Sequence, residues 1–356
     1  MRILCAGGGS GGSAAPVIAV AQAARRRWPH AEMLYVGTRG GPEAALVRDA
    51  GLPFIAVRTG KLRRYADWRN LTDPALVAAG VAQSIRIVRR FWPDVAFGAG
   101  GFATVPPLLA ARVLGVPLVI HQQDVLPSLA NRILVPFATR VTVAFPETVG
   151  LLRHANARIV GNPVRDAFAA ASAVRAGETL GLESGVPLVL ATGGGTGALN
   201  LNQIVASAAP QLIEGAQVLH LTGAGKRVEA IDHPRYRQVE FLTSEMPDVL
   251  AAAEVVITRA GMSALAEVGA LGKAAIVIPM PNSHQEANAA VVARHQAGVV
   301  AHERELTPRL LVELVRELLA DTSRRHALEK AASKLLPASA ADAVVSELAQ
   351  AAGELA

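Results

Sequence analysis

Two glycine-rich turns, one in each half of the chain, constrain the fold more than any other feature of the sequence. The first spans Gly7–Ser13 and the second spans Gly193–Ala198, and each follows a short apolar run and precedes a helix-like segment. A strand that turns through glycines into a helix directs backbone N–H groups and the positive end of the helix dipole at one point, which favours a phosphate or another anion. The pair therefore predicts two nucleotide-binding-like domains that face each other.

Short apolar runs continue along both halves, and helix-like segments separate them. The predicted strands are Arg2–Ala6, Met33–Val36, Val95–Gly98, Leu118–His121, Val141–Ala144, Leu188–Ala191, Val218–Leu221, Val255–Thr258 and Ala275–Pro279. This alternation predicts right-handed βαβ units on parallel sheets. The expected fold class is α/β, with two Rossmann-like, doubly wound parallel-sheet domains and the ligands in the cleft between them.

The chain length and one breaker segment predict where the domains lie. A chain of 356 residues is too long for one comfortable core and suits two domains. The segment Gly161–Val164 contains glycine, asparagine and proline, which break helix and strand just before the second set of strands. We therefore expect an N-terminal domain at 1–162, a C-terminal domain at 163–337, and a final helix at 338–356 that packs back on the N-terminal domain.

The composition restricts the class of partner. A net charge of +6 and a pI near 10 suit a polyanion, an anionic membrane surface or a phosphorylated substrate. Only 4% of the residues are aromatic and no basic stretch is interleaved with stacking side chains, so nucleic acid is not expected as a partner. The first apolar run is too short for a signal peptide, no run is long enough to span a membrane, and the single cysteine, Cys5, cannot form an internal disulfide. These features predict a cytoplasmic protein.

A third turn, Arg259–Ser263, is more specific than either glycine turn. It leaves the apolar run Val255–Thr258 and enters a helix that carries Glu267. The first amides of that helix would face a diphosphate, and Glu267 could accept two hydrogen bonds from a ribose. Alternatively, Glu267 only complements the helix dipole. A nicotinamide dinucleotide is disfavoured, because the acidic residue expected after the second strand of such a site is absent.

Seven short motifs follow one another along nearly the whole chain. They are Gly8–Gly12 with Pro16 and Ala19–Ala21, Gly98–Phe102, His121–Asp124 with Asn131, Gly161–Arg165, Gly193–Ala198 with Asn202 and Gln203, Arg259–Ser263 with Glu267, and His284–Glu286 with Asn288 and Ala289. In this order and spacing they resemble the MurG glycosyltransferases of family 28, which have the two-domain GT-B fold. The resemblance implies inverting transfer of N-acetylglucosamine from UDP-N-acetylglucosamine to the 4-hydroxyl of undecaprenyl-diphosphate-linked muramoyl-pentapeptide, a step of peptidoglycan synthesis.

The resemblance also implies which residues bind the two substrates. The implied UDP-N-acetylglucosamine residues are Ser10, Gly11, Gly12, Asp124, Arg165, Gly195, Leu242, Met262, Ser263, Ala264, Glu267 and Gln285. The implied acceptor-diphosphate residues, all in the first domain, are Gly12, Ser13, Gly100 and Gly101. The uracil would lie near Phe241 and Leu242, and the sugar hydroxyls near Gln285 and Glu286. Without the resemblance, Phe241 would be assigned to the core and Gln285 to a solvated turn.

The chain departs from the family at the catalytic base. The family usually ends the first turn with histidine, whereas this chain has Ser13, whose hydroxyl is no base near neutral pH without an activator. The family has asparagine where this chain has Asp124, so we expect Asp124 to supply the base, with His121 as the alternative. Equally, Asp124 could replace asparagine only as a hydrogen-bonding group. We expect no metal and no cofactor, because the helix dipole can stabilise the UDP leaving group and no zinc-type spacing occurs.

The lipid acceptor implies a peripheral location on the cytoplasmic face of the cell membrane, at an anionic inner leaflet. The candidate membrane surface has basic members Lys61, Arg63, Arg64, Arg69, Arg86, Arg89 and Arg90, and apolar members Trp68, Leu71, Leu76, Val77, Val81, Ile85, Val88, Phe91 and Trp92. Residues 74–91 also have the pattern of an amphipathic helix with its 77-81-85-88 stripe in the core. We expect both: the stripe lies in the core, and the loop before the helix, the arginines and Trp92 meet lipid headgroups.

The resemblance leaves other partners and functions to be considered. Cell-wall synthesis or division proteins are further candidate partners. A related GT-B enzyme with another UDP-sugar or another lipid acceptor is the first alternative function. An inactive homologue that binds the lipid carrier is the second.

Overall fold

The chain forms two compact units. A computed structural model describes residues 1–8, 11–41, 43–59, 69–194 and 197–354, with the side chains of residues 11 and 69–75 excepted. The first unit comprises Met1–Arg165 together with Ser339–Ala356, and the second comprises Asp166–Ala338. The sequence placed this boundary after Asn162.

The first unit is built on a parallel sheet. Its strands are β1 (Arg2–Ala6), β2 (Glu32–Thr38), β3 (Phe54–Val57), β4 (Val95–Gly98), β5 (Leu118–Gln122), β6 (Arg140–Val143) and β7 (Ala157–Ile159). Among the described residues they run in the order β3-β2-β1-β4-β5-β6-β7. In β1, Ile3 and Cys5 join one apolar cluster and Leu4 and Ala6 join another. The strand is apolar throughout because both faces of the sheet are covered.

Helices cover both faces of this sheet. They are α1 (Gly11–Arg27), α2 (Glu43–Asp49), α3 (Arg69–Phe91), α4 (Val105–Val113), α5 (Leu129–Leu134) and α6 (Pro146–Leu152), with short 3₁₀ turns at Phe102–Thr104 and Val135–Phe137. The cluster that contains Leu4 includes Val88 of α3, and Val77, Val81 and Ile85 pack against it. The stripe of α3 therefore lies in the core.

The second unit repeats the architecture. Its strands are β8 (Leu188–Thr192), β9 (Gln217–Leu221), β10 (Tyr236–Val239), β11 (Ala253–Thr258), β12 (Ala274–Val277) and β13 (Val299–Val300). Its helices are α7 (Ala173–Leu180), α8 (Leu199–Leu212), α9 (Met246–Ala252), α10 (Met262–Ala270), α11 (Gln285–Arg294), α12 (Pro308–Ala320) and α13 (Thr322–Leu335), with a 3₁₀ turn at Asp166–Phe168. The described strands are parallel, in the order β10-β9-β8-β11-β12-β13.

Capping residues fix several helix ends in this unit. The Thr307 side chain accepts a hydrogen bond from the amide of Leu310 at the start of α12, and Asp321 accepts one from Arg324 at the start of α13. Each cap gives a helix-terminal N–H a partner. Gly181, with φ +59°, ends α7 in the left-handed conformation that glycine adopts without steric cost.

The last helix, α14 (Ala340–Ala351), belongs to the first unit. Val344 and Leu348 lie in the same apolar cluster as Val17 and Val20 of α1. The chain therefore returns to its first unit after completing the second.

The predicted α/β fold class with parallel sheets is confirmed, and each predicted strand overlaps an observed one. The sequence missed β3, β7, β10 and β13, which are the edge strands of the two sheets.

Candidate functional site

The first glycine turn and the Gly98–Gly101 turn meet at the carboxyl edge of the first sheet. They follow β1 and β4, which pair directly. Gly101 has φ +85°, and a Cβ atom on it would overlap the carbonyl oxygen of Gly8. The buried Ser13 hydroxyl donates to that same carbonyl at 3.3 Å. Only glycine allows this approach, so the two turns form one surface.

The predicted acceptor residues are distributed around this contact. Gly12 is exposed on the first turn of α1, and Ser13 is buried beside it. Gly100, with φ +90°, precedes Gly101. Gly11 is the first residue of α1, whereas Ser10 lies outside the described residues. The structure therefore brings Gly12, Ser13, Gly100 and Gly101 together.

The segment that carries Asp124 lies against these turns. Gln123 Nε2 donates to the carbonyl of Ala99 at 2.8 Å, which joins the segment to the Gly98–Gly101 turn. Gln122 Nε2 donates to the Asp124 carbonyl at 2.8 Å, and Asn131 Nδ2 donates to Gln122 Oε1 at 2.7 Å. Asp124 is half-buried at the end of β5, the neighbour of β4. These side-chain bonds fix the backbone that presents its carboxylate.

The surroundings of His121 do not favour it as the alternative base. The residue is fully buried, with Nε2 3.0 Å from Asn162 Oδ1 and Nδ1 3.0 Å from Thr142 Oγ1. Both ring nitrogens therefore have a side-chain hydrogen-bond partner, one an amide and the other a hydroxyl. Burial lowers the pKa of His121 to about 4. The ring is therefore neutral, both of its nitrogens form hydrogen bonds within the protein, and it has no solvent-exposed surface.

The third turn forms the start of α10 in the second unit. Gly261 is the N-cap residue, and the first bond of the helical ladder runs from the Leu265 amide to the Gly261 carbonyl at 3.0 Å. The amides of Met262, Ser263 and Ala264 are therefore the N-terminal donors of the helix. Met262 is buried, whereas Ser263, Ala264 and Glu267 are half-buried. The helix dipole adds partial positive charge at this point.

Residues of the next loop lie beside this helix start. A Cβ atom on Gly261 would lie 3.9 Å from Gln285 Nε2, and Gln285 Oε1 accepts from the Met280 amide at 3.0 Å. The buried Asn288 donates to the carbonyl of Ala260 at 3.0 Å. The amide side chain of Gln285 is thus held next to the α10 N-terminus.

The second glycine turn is held against the β9 loop. Gly197 has φ +66°, and a Cβ atom on it would overlap the carbonyl oxygen of Thr222. The buried Asn202 of α8 donates to that carbonyl at 2.9 Å and to the Lys226 carbonyl at 3.0 Å. Gly195 lies outside the described residues. Gly197 is therefore held in place at the carboxyl edge of the second sheet.

The other predicted donor residues lie farther along the chain. Phe241 follows β10 and is 52% exposed, so it is not a core residue, and Leu242 is half-buried. Arg165 is half-buried at the end of the first unit. In the described ranges, no group of three His, Cys, Asp or Glu residues is arranged to hold a metal ion. None of the described helices is both long and apolar enough to cross a bilayer.

Sequence reasoning missed one charged pair at this edge of the second sheet. The guanidinium of Arg259 contacts the carboxylate of Glu303, and both side chains are nearly buried. Arg259 belongs to the third turn, but Glu303 follows β13 and stands in no motif. Only the packing of distant segments reveals the pair.

Both halves of the chain match known domains. The profile of the glycosyltransferase family 28 N-terminal domain matches residues 3–143. The profile of the glycosyltransferase family 28 C-terminal domain matches residues 188–345. The first match lies within the first unit, and the second covers most of the second unit and extends into α14.

Relatives match along nearly their full length. A protein of Lachnospira eligens, named UDP-N-acetylglucosamine--N-acetylmuramyl-(pentapeptide) pyrophosphoryl-undecaprenol N-acetylglucosamine transferase, is 34% identical over 90% of this chain and 91% of its own. A protein of the same name from Alkaliphilus oremlandii is 33% identical, with 98% of each chain covered. The crystal structure of Acinetobacter baumannii MurG superposes with a TM-score of 0.75 at 23% identity, covering 98% of this chain and 99% of that one. This likeness confirms the predicted GT-B fold class.

Proposed function

The chain belongs to glycosyltransferase family 28, and from this membership we propose that it transfers N-acetylglucosamine from UDP-N-acetylglucosamine to the 4-hydroxyl of undecaprenyl-diphosphate-linked muramoyl-pentapeptide. The observation that carries the proposal is the 34% identity, over nine-tenths of both chains, to a relative named for transfer of N-acetylglucosamine to this lipid-linked acceptor. The product would be the disaccharide-pentapeptide lipid of peptidoglycan synthesis.

In this proposal the second unit binds the donor. The amides of Met262, Ser263 and Ala264 bind the diphosphate, and the α10 dipole stabilises the negative charge that grows on UDP as the glycosidic bond breaks. Glu267 accepts hydrogen bonds from the ribose, and Gln285 binds the sugar hydroxyls. The remaining proposed donor contacts are Leu242 at the uracil, and Ser10, Gly11, Gly12, Asp124, Arg165 and Gly195. Because the helix start supplies the charge stabilisation, no metal or cofactor is required.

In the same proposal the first unit binds the acceptor. The joined turns that carry Gly12, Ser13, Gly100 and Gly101 bind the lipid diphosphate through backbone amides. Asp124 removes the proton from the 4-hydroxyl as that oxygen attacks the anomeric carbon, which inverts the configuration there. Ser13 supports the turn through its bond to Gly8 and is not the base.

We further propose that the protein works on the cytoplasmic face of the cell membrane as a peripheral protein. The exposed Arg86, Arg89 and Arg90 on α3, with the 64%-exposed Trp92 after it, support contact with anionic headgroups. Of the surface predicted from the sequence, residues 61–68 lie outside the described ranges. We also propose that the protein has roles in cell shape and cell division, and that proteins of cell-wall synthesis and division are its partners.

The test is UDP release from UDP-N-acetylglucosamine, measured with and without a soluble analogue of the lipid-linked acceptor. Rapid release only with both substrates supports the proposal. Faster release from a different UDP-sugar would instead support the related transferase. Acceptor binding without UDP release from any sugar would support the inactive homologue and overturn the enzymatic proposal.

A further inference from the structure

An ion pair joins two of the loops at the carboxyl edge of the second sheet. The Arg259 guanidinium, which follows β11, contacts the Glu303 carboxylate, which follows β13. The two side chains are only 9% and 12% exposed. A buried ion pair resists movement of either segment, because separation of the two side chains would leave each charge buried without a partner, which is strongly destabilising.

Further hydrogen bonds extend the pair to two more loops. Arg259 Nη1 donates to the carbonyls of Ile278 and Pro279, which follow β12, at 3.3 and 3.4 Å. The other oxygen of Glu303 accepts a hydrogen bond from Asn200 Nδ2 at 2.6 Å, and Asn200 lies in the first turn of α8, the helix that follows β8. The pair therefore connects the segments that follow β8, β11, β12 and β13.

These four segments include most of the proposed donor contacts of the second unit. Arg259 leads directly into the Met262–Ala264 amides, Pro279 leads into the loop that ends at Gln285, and the second glycine turn leads into Asn200. Each segment leaves a different strand, so strand pairing alone does not fix one loop against another. A diphosphate bound by several backbone amides requires them to be in place within a fraction of an ångström.

We propose that Glu303 is a positioning residue for the donor site, acting through Arg259 and Asn200. The inference rests on the proposed function, because it assumes that UDP binds at this edge. Glu303 sets the separation between the start of α8 and the α10 amides without touching the donor. Loss of the contacts that Glu303 makes with Arg259 or Asn200 should reduce the affinity for the donor more than it reduces the turnover rate of the enzyme–substrate complex.

The test uses Glu303→Gln and Asn200→Ala in the full chain. Asn200 is exposed, so its truncation should leave folding intact even if the Glu303 variant unfolds. Calorimetric titration with UDP should show binding weakened about tenfold in each variant, the effect of losing a charge-assisted hydrogen bond. KM for UDP-N-acetylglucosamine should rise in parallel while kcat stays near the wild-type value. A merely structural role would lower kcat through loss of folded protein and leave KM unchanged.

The matched control is Glu313→Gln. Glu313 is an exposed carboxylate on α12 that pairs with Arg309 at 2.8 Å, so the chemical change is the same at a surface site outside the four loops. Its UDP affinity should equal that of the wild type. If the wild type binds UDP but Asn200→Ala binds it within about twofold of the wild type, the inference is overturned and the proposed function stands. If the wild type binds no UDP, the proposed function fails and this inference fails with it.

Discussion

Buried histidines occur in both sheets and serve the same physical purpose. His121 of β5 bonds Asn162 and Thr142, and His220 of β9 bonds Asn202 and the Tyr236 hydroxyl at 3.1 and 2.8 Å. Burial lowers the pKa of each to about 4. Both rings therefore stay neutral at physiological pH. His121 links β5 to β6 and to Asn162, and His220 links β9 to α8 and to β10. Three residues beyond His121, Asp124 lies outside the buried strand and keeps a carboxylate at the edge of the sheet.

Asp124→Asn tests the proposed base. Turnover should fall about a hundredfold, because the amide keeps the shape and hydrogen bonds of the side chain but cannot take up the proton. UDP affinity should remain at the wild-type value. Steady-state kinetics and calorimetric titration measure the two quantities separately.

The control for this change is Asp49→Asn, an exposed aspartate at the end of α2 in the same unit. It should leave turnover unchanged. A fall of less than about threefold in Asp124→Asn would show that Asp124 only replaces asparagine as a hydrogen-bonding group.

Among the helices, α14 is held on the first unit by apolar contacts and by ion pairs that differ in their burial. The helix contributes Val344, Val345 and Leu348 to the core. Glu347 pairs with Arg140 of β6 at 2.8 Å with both side chains mostly buried. Removal of one partner destabilises the fold more for a buried ion pair than for an exposed one, because water cannot easily solvate the charge that remains.

Glu347→Gln should reduce the free energy of unfolding of the first unit by about 1–3 kcal/mol, the cost of removing a charged hydrogen-bond partner from a largely buried site. The readout is urea unfolding followed by tryptophan fluorescence. All three tryptophans of the chain lie within residues 28–92, so the signal reports the first unit alone.

Asp342→Asn is the comparison on the same helix. Asp342 pairs with Arg26 at 2.7 Å, but both side chains are about half exposed. This change should cost less than about 1 kcal/mol, as exposed ion pairs do. Equal losses in the two variants would contradict the assignment of a buried, stability-determining pair.

For the whole molecule, charge is the property that governs the proposed membrane contact. The chain carries a net charge of +6. On α3, Arg86, Arg89 and Arg90 are exposed, while the apolar stripe of the same helix lies in the core. The helix therefore presents positive charge without using its apolar face, and attraction to an anionic surface should dominate.

Replacing Arg86, Arg89 and Arg90 together by alanine should weaken binding to vesicles that contain phosphatidylglycerol by about tenfold or more, since each basic residue near the surface strengthens attraction to anionic lipid. Co-sedimentation at low and high salt is the measurement, and salt should reduce wild-type binding. Replacing Arg309, Arg316 and Arg324, three arginines of α12 and α13, changes the net charge equally. Equal loss in both triple variants would assign binding to net charge and contradict a surface on α3.

The sequence by itself determined the fold class, the interior strands and the turns. Interior strands are buried on both faces, so each reads as a continuous apolar run bounded by glycine or proline. The edge strands gave no such signal, because one side has no neighbouring strand: β7 ends in Ile159, which is 55% exposed, and β13 has two residues. The glycine turns could be predicted from the sequence, because a backbone with positive φ or a close backbone contact requires glycine at that position.

Only the tertiary structure decided which polar residues act together. His121 was a candidate base in the sequence, but its partners Thr142 and Asn162 lie 21 and 41 residues away. Glu303 stands in no motif and contacts Arg259 and Asn200 only because parallel strands bring their carboxyl ends to one edge. Local sequence encodes backbone conformation, whereas burial and pairing of charges depend on segments that meet only after the sheet has formed.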